Sequence, residues 1–231
     1  MSNSVPNVVV TGADRGIGEA LCHAYLKRGA RVFAACLDDS PALRDAGAVV
    51  VSGVDVTSAS KIEPLVRAVA DQRVDILIHN AGIVAESPLG AFAFDGFERE
   101  YAVNALGPLR VTQALLSALC EGAKIGIITS RVGSLGENQS GGLYGYRMSK
   151  AAANMATICL AHDVKQRGIA VMALHPGSVL TAMTRALTDQ RSVGNFVEPA
   201  IAAQGLIARL DELNLATSGT FRHANGDLLP W

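Results

Sequence analysis

Short, continuously apolar runs rich in Val and Ile alternate with longer, Ala-rich amphipathic stretches from one end of the chain to the other. Val8–Thr11, Arg31–Cys36, Val49–Val54, Asp75–His79, Ile125–Thr129 and Ile169–Leu174 read as strands, with a last short one at Thr220–Arg222. Strands that are apolar at every position, not at alternate ones, suit a sheet covered on both faces. Gly16–Lys27, Ser60–Asp71, a long Phe94–Leu119, Gly145–Lys165 and Pro199–Leu213 read as helices. This alternation requires right-handed crossovers, so the expected fold is α/β, a doubly wound parallel sheet flanked by helices. No linker or repeat interrupts it, and 1–231 reads as a single domain. Ligands of such sheets bind where strands end, so the informative motifs should follow strands.

Composition narrows the picture. The 231 residues are 49% hydrophobic and 18% charged, enough for one large core. A net charge of −1 without a basic block speaks against nucleic-acid or membrane-surface partners. No apolar run approaches a membrane span, and Met1–Asn7 lacks the pattern of a signal peptide, so a cytoplasmic location is expected. Cys22, Cys36, Cys120 and Cys159 are scattered, with no CxxC pair and no His at ligand spacing. They read as reduced thiols, and no metal is expected.

Directly after the first strand, Thr11-Gly12-Ala13-Asp14-Arg15-Gly16-Ile17-Gly18 opens a helix. Glycines there permit a tight turn and close backbone approach, and the helix start offers free N–H groups to a pyrophosphate. The spacing is GxxxGxG, not the commoner GxGxxG. Asp55 after the third strand is placed to meet an adenine amine, or to cap a helix. Asn80-Ala81-Gly82 after the fourth strand would bring backbone to a ribose, or simply punctuate a loop. Pro176-Gly177 with Thr181 after the sixth strand would offer backbone and hydroxyl groups to a carboxamide.

Tyr146 and Lys150 stand four residues apart, on one helical face. A free tyrosine titrates near ~10, so as a base at neutral pH it needs a neighbouring cation. Tyr144, six residues from Lys150, falls on the wrong face.

These motifs together resemble the short-chain dehydrogenase/reductase family over nearly the whole chain, in particular its small carbonyl-reductase-like members similar to C-factor and sniffer. The matched residues are Thr11 to Gly18, Asn80 to Gly82, Asn104, a serine after the fifth strand, Tyr146 with Lys150, and Pro176-Gly177 with Thr181. The resemblance implies a Rossmann-type fold and hydride transfer between nicotinamide and a small carbonyl or alcohol. It implies Tyr146 as acid and base, and Lys150 as holder of the nicotinamide ribose and modulator of Tyr146. Asn104 would interrupt its helix and hold a water leading from Lys150 to solvent. Ser130 would steady the substrate oxygen. It lies sixteen residues before Tyr146, three more than the family spacing, and Ser134 is its rival. Cofactor contacts are implied for Gly12, Arg15, Gly16, Ile17, Gly18, Asp38, Asp55, Val56, Asn80, Ala81, Gly82, Tyr146, Lys150, Pro176, Gly177, Val179 and Thr181.

NAD and NADP are not cleanly separated. Asp38 and Asp39 follow the second strand, where a carboxylate would favour NAD, and Leu37 replaces the base that related chains use for a 2′-phosphate. Arg15 argues for NADP. The balance leans slightly to NAD. A substrate lid is expected at about 184–198, where Arg185, Arg191, Gly194 and Phe196 fall. Leu135, Leu143, Met183, Leu187 and Phe196 predict a mostly apolar pocket. The two long helices carry more apolar surface than one sheet can cover, which predicts a homodimer or homotetramer. The alternatives are a non-catalytic dinucleotide sensor and an assembly scaffold on the same fold. The retained Tyr146 and Lys150 argue against the first, and the intact glycine turn against the second.

Overall fold

The structure is a computed structural model that describes residues 5–86, 88–187 and 196–231. Seven strands form one parallel sheet: β1 Asn7–Thr11, β2 Arg31–Ala35, β3 Val49–Val51, β4 Val74–His79, β5 Leu119–Ile128, β6 Ala170–His175 and β7 Thr220–His223. Their order is β3-β2-β1-β4-β5-β6-β7. The chain runs outward from β1 through β3, then returns to lay β4 on the other side of β1. The winding reverses between β1 and β4, and a crevice opens there beyond the strand ends.

Successive strand residues face opposite ways, and both faces are covered. Val8, Val10, Val32 and Ala34 pack under α1 (Gly16–Lys27) and α8 (Pro199–Glu212). Val9, Phe33, Leu77 and Ile125 pack under α3 (Ala59–Ala68), α5 (Gly107–Leu115) and α6 (Tyr144–Asp163). This explains why the strands read as unbroken apolar runs.

The long helix expected over Phe94–Leu119 is interrupted. It forms α4 (Phe94–Tyr101), a wide turn of π-helix at Ala102–Leu106, and α5. Leu119 belongs to β5, which begins six residues before the expected strand. Glu121, Gly122 and Lys124 broke the apolar run there, and Gly122 sits at φ +82°. Two short helices, α2 (Pro41–Asp45) and α7 (Ala182–Leu187), span too few turns to leave a periodic signal. The base of the expected lid is pinned where Val179 and Val197 form a parallel bridge, with Leu180 N–H donating to the Val197 carbonyl at 2.9 Å. Arg191 and Gly194 lie outside the described residues, as does the side chain of Leu187.

Candidate active site

A cavity of about 750 Å³ lies along the carboxyl ends of the strands, from the glycine turn to the start of α6. Its first end is built from backbone. Gly12 has φ +61°, and a Cβ there would stand 2.7 Å from the Ala81 Cα. A Cβ on Gly18 would overlap the Gly12 carbonyl and lie 2.6 Å from Asn80 Nδ2. The Asn80 amide donates to the Thr11 and Gly12 carbonyls at 3.1 and 2.8 Å. The Thr11 hydroxyl accepts from the N–H groups of Asn80 and Ala81 at 3.1 and 3.2 Å. Asn80 and Thr11 therefore lock the ends of β1 and β4 together. Arg15, at the N-cap of α1, makes no side-chain cap bond, and among the described residues the first N–H groups of α1 stay available at the turn.

Gly12, Arg15, Gly16, Ile17, Asp55, Val56, Asn80, Ala81, Gly82, Pro176, Gly177, Val179 and Thr181 all line this cavity. Gly18 and Asp38 do not. Gly18 is packed beneath Gly12, and Asp38 projects into solvent, 3.7 Å from the Arg15 guanidinium. Asp39 is turned away as well, bonded to Arg44 at 2.6 Å and Ser52 at 2.8 Å, and the Arg44 bond holds its carboxyl down to about 2. The carboxylate that faces the cavity beside β2 is Asp14, which accepts from Leu37 N–H at 3.4 Å and is only 6% exposed. Asp14 is part of the turn motif, and its position between glycines had marked only the turn. Asp55 accepts from the Thr57 N–H and hydroxyl at 2.9 and 2.7 Å, which lowers its pKa.

The other end holds the reactive groups. Tyr146 and Lys150 both line the cavity from the first turns of α6, and the Lys150 ammonium lies 5.6 Å from the Tyr146 ring centre. Lys150 Nζ donates to the Ile128 carbonyl at 2.9 Å. Burial pulls Lys150 down to about 8. Burial pushes the Tyr146 phenol up to about 12, while the neighbouring Ser130 hydroxyl works downward and the Glu100 carboxyl upward. The Ser130 hydroxyl accepts from Val132 N–H at 3.4 Å. Burial therefore outweighs the lowering of Tyr146 that the Lys150 charge was expected to bring. Ser134 is buried away from this cavity, where its hydroxyl accepts from Glu137 N–H at 3.2 Å. Tyr144 packs against Phe92 at 5.0 Å and lines a separate small pocket.

Asn104 sits in the π-helical turn, buried. Its amide holds both backbone groups of Ile83, at 2.9 and 2.8 Å, and donates to Ser149 Oγ at 2.9 Å. A Cβ on Gly82 would lie 3.3 Å from Asn104 Oδ1 and 3.5 Å from Lys150 Nζ, so both polar groups flank this glycine.

Four further residues escaped the sequence reading. Arg131 and His175 line the cavity at the ends of β5 and β6. Arg147 binds the loop before α6 with all five guanidinium N–H groups. Its acceptors are the Gly142, Val132 and Gly141 carbonyls, Asn138 Oδ1 and Ser140 Oγ, at 2.9–3.4 Å. That loop ends at Leu143, a cavity-lining residue at φ +48°. Glu100 is fully buried; one oxygen accepts from Ala85 N–H at 2.8 Å and the other has no partner among the described residues. Position at a strand end was the available signal for Arg131 and His175; none existed for the loop contacts.

Among the described residues no group of His, Cys, Asp and Glu is placed to hold a metal, and no helix is long and apolar enough to cross a membrane. Residues 6–192 match the family model described as short chain dehydrogenase. A 1-hydroxy-2-glutathionyl-2-methyl-3-butene dehydrogenase from Rhodococcus sp. (strain AD45) is 43% identical over 97% of this chain and 99% of its own. The C-signal protein of Myxococcus xanthus is 39% identical over 68% of this chain and 93% of its own. Among solved structures, an NADPH-bound carbonyl reductase from chicken fatty liver superposes with a TM-score of 0.87 at 29% identity, over 98% of this chain and 99% of that one. The glycine cradle, free α1 N–H groups and buried lysine fit a nicotinamide dinucleotide, and the chain is a member of the short-chain dehydrogenase/reductase family, an NAD(P)-dependent oxidoreductase that acts on carbonyl or alcohol groups.

Proposed function

We propose that Tyr146, Ser130, Lys150 and Asn104 form the reaction centre for interconverting a small carbonyl compound and its alcohol. The observation that carries this is that Tyr146, Ser130 and the buried Lys150 line one end of the same cavity, beyond the glycine cradle. The dinucleotide supplies or accepts the hydride. In reduction, Tyr146 donates its phenolic proton to the substrate oxygen, and in oxidation it takes the proton back. A phenol held at about 12 is neutral at pH 7, the form that donates. Ser130 donates to the same oxygen, a bond that strengthens as negative charge grows there. Lys150 holds the nicotinamide ribose and steadies the phenolate left by proton transfer. Asn104 braces the Ile83 wall, with an Oδ1 lone pair left for a water leading to Lys150.

Gly12, Asp55, Gly82, Gly177 and Lys150, which line the cavity, would hold the dinucleotide. NAD(H) is the preferred form, because Asp14 presents a carboxylate where a 2′-phosphate would lie and Asp38 draws the charge of Arg15 outward. Two copies pair through α4, α5 and α6, whose outer faces expose Phe94, Tyr101, Leu109, Met148 and Met155. Light scattering that returns a monomer at micromolar concentration refutes the pairing. Free Cys22, Cys36, Cys120 and Cys159 support a reducing, cytoplasmic setting.

The decisive test is Tyr146→Phe, which should keep dinucleotide affinity and lose at least ~100-fold in turnover, the scale of lost general acid–base catalysis. Near wild-type turnover would end this reading. The pH profile checks Lys150 separately. Its pKa is depressed from 10.5 to about 8, so the cation is lost as pH rises through 8, and carbonyl reduction should fall with an alkaline limb near there. The unfolded chain binds the proton up to 10.5, so this group makes folding more favourable between 8 and 10.5. The lost activity should therefore return on neutralisation, without an unfolding transition.

A further inference from the structure

The two ends of the cavity are lined differently. Asp14 and Asp55 stand at the dinucleotide end, each accepting hydrogen bonds from the chain and each offset by a guanidinium, Arg15 beside Asp14 and Arg99 near Asp55. Past Ser130 the wall is Val132, Leu143, Met183 and Phe196, with Arg131 and His175 as its basic groups. Arg131 adjoins Ser130 in sequence, so its backbone starts about 3.8 Å from that of the serine.

The Arg131 guanidinium is held from one side. Its Nε lies 2.9 Å from Glu137 Oε2, and among the described residues its two terminal nitrogens have no partner. The contact is an ion pair and not an aligned hydrogen bond, since Glu137 Oε2 has no hydrogen-bond donor among the described residues. The guanidinium therefore keeps donors in the planar arrangement that matches a carboxylate. Behind it, His175 and His223 meet edge to face at 4.9 Å, on paired positions of β6 and β7. Burial lowers both, and the Arg131 charge lowers both further. His175 Nδ1 is buried without a partner among the described residues. The charged groups acting on this pair are Arg131, Glu137 and Asp227. An apolar wall with a cation whose terminal donors are open suits an apolar body bearing one anionic group.

We propose that Arg131 is a carboxylate-binding residue of the substrate site, so that preferred substrates carry a carboxylate as well as the reacting carbonyl or alcohol. The inference rests on the reading of Tyr146 and Ser130 as the reaction centre, which fixes this end of the cavity as the substrate end. Glu137 offsets part of the guanidinium charge, and the carboxylate supplies the hydrogen-bond acceptors that Glu137 does not.

The test uses the three carboxybenzaldehyde isomers, their methyl esters and benzaldehyde as substrates, with both reduced cofactors. At least one acid should exceed its ester by tenfold or more in kcat/KM. That acid-to-ester ratio should collapse toward one in R131M, and most of it should be lost in R131K, which keeps the cation but not the fork. Ratios are compared within each variant, so a general loss of activity does not enter. Titration calorimetry supplies a readout without turnover: benzoate should bind and benzamide should not, and R131M should lose benzoate affinity by tenfold or more. Esters used as well as acids, a preference that survives R131M, or benzoate bound no better than benzamide would each overturn the proposal. Benzaldehyde turnover without any acid preference defeats this inference alone. Arg131-dependent benzoate binding with no aldehyde reduced defeats the reaction reading and leaves the carboxylate site standing.

Discussion

The cavity joins two regions built in different ways. At the β1–β4 end, polar side chains fasten the backbone to itself: Asn80 on the Thr11 and Gly12 carbonyls, Thr11 on two N–H groups, Asp55 on Thr57. What remains for a ligand is peptide backbone and the start of a helix. At the β5–β7 end the walls are loops, held by side chains such as Arg147, and the groups facing inward are side-chain atoms. A site of backbone tolerates almost no added atom, whereas a site of loops accepts changes of size and is tuned by single residues. The same protein can thus hold one cofactor rigidly and a substrate adjustably.

The largest expected effect tests that contrast with a single methyl group. In Gly18→Ala the new Cβ overlaps the Gly12 carbonyl, so the turn must open. Dinucleotide affinity should drop at least ~100-fold, about 3 kcal/mol, and stability should fall by ~1–3 kcal/mol from overpacking. Gly141→Ala, in the substrate loop, has nothing within 4 Å of the added atom and should change neither. Fluorescence titration with cofactor and thermal melts measure both, and similar behaviour of the two variants would break the comparison.

Next in size are the serines. Ser130→Ala removes the neighbour of Tyr146 from the cavity, and kcat should fall ~10–100-fold with cofactor affinity unchanged, since one oxyanion-type donor is lost. Ser134→Ala removes a loop bond to Glu137 N–H, so it should cost about 1 kcal/mol of stability and little activity. The reverse ranking would assign the substrate hydrogen bond to Ser134.

How much of this was legible follows the same division. Strand and helix order, and the positions of Gly12, Asn80, Tyr146 and Pro176, could be read because each obeys a local rule of period, turn or strand end. The break at Ala102–Leu106 was implied by the resemblance, at Asn104, and not by the apolar period, which runs through it; its cause is tertiary, Asn104 bonding to Ile83. The carboxylate near β2 was sought at Asp38 and Asp39, by distance along the chain. The Arg15 and Arg44 guanidinium groups draw those two outward, and the fold brings Asp14 into the place instead. Arg147 was invisible because its five acceptors belong to an irregular loop that has no sequence period.

Arg147 gives a smaller effect. A lysine keeps the charge but offers three donors in place of five in a fixed plane. Arg147→Lys should loosen the 132–143 loop and raise substrate KM several-fold, with a smaller change in kcat and none in cofactor affinity. Faster amide exchange at 134–143 should accompany it. An unchanged KM with a weakened cofactor would show that the two regions are not independent.

The smallest expected effect lies at the cofactor's adenosine end, where both regions' methods meet. Arg15 is 68% exposed and stands 3.6 Å from Asp14 and 3.7 Å from Asp38, so its charge is shared between two carboxylates before any ligand arrives. Exposed pairs of this kind contribute only ~0–1 kcal/mol each. Asp14 is largely covered and tied to Leu37 N–H, so it is the fixed charge, while Arg15 is the movable one. A 2′-phosphate would have to draw Arg15 from both acids and approach Asp14, whereas ribose hydroxyls could donate to Asp14 directly. NAD(H) should therefore give the higher kcat/KM, by a few-fold. Asp14→Asn, which removes the repulsion and keeps the shape, should shift preference toward NADP(H). Arg15→Ala should leave NAD(H) use nearly unchanged. The measurement is kcat/KM with both reduced cofactors at one ionic strength. If the wild type prefers NADPH and Arg15→Ala abolishes that preference, Arg15 is a phosphate clamp and the carboxylate reading of this end falls.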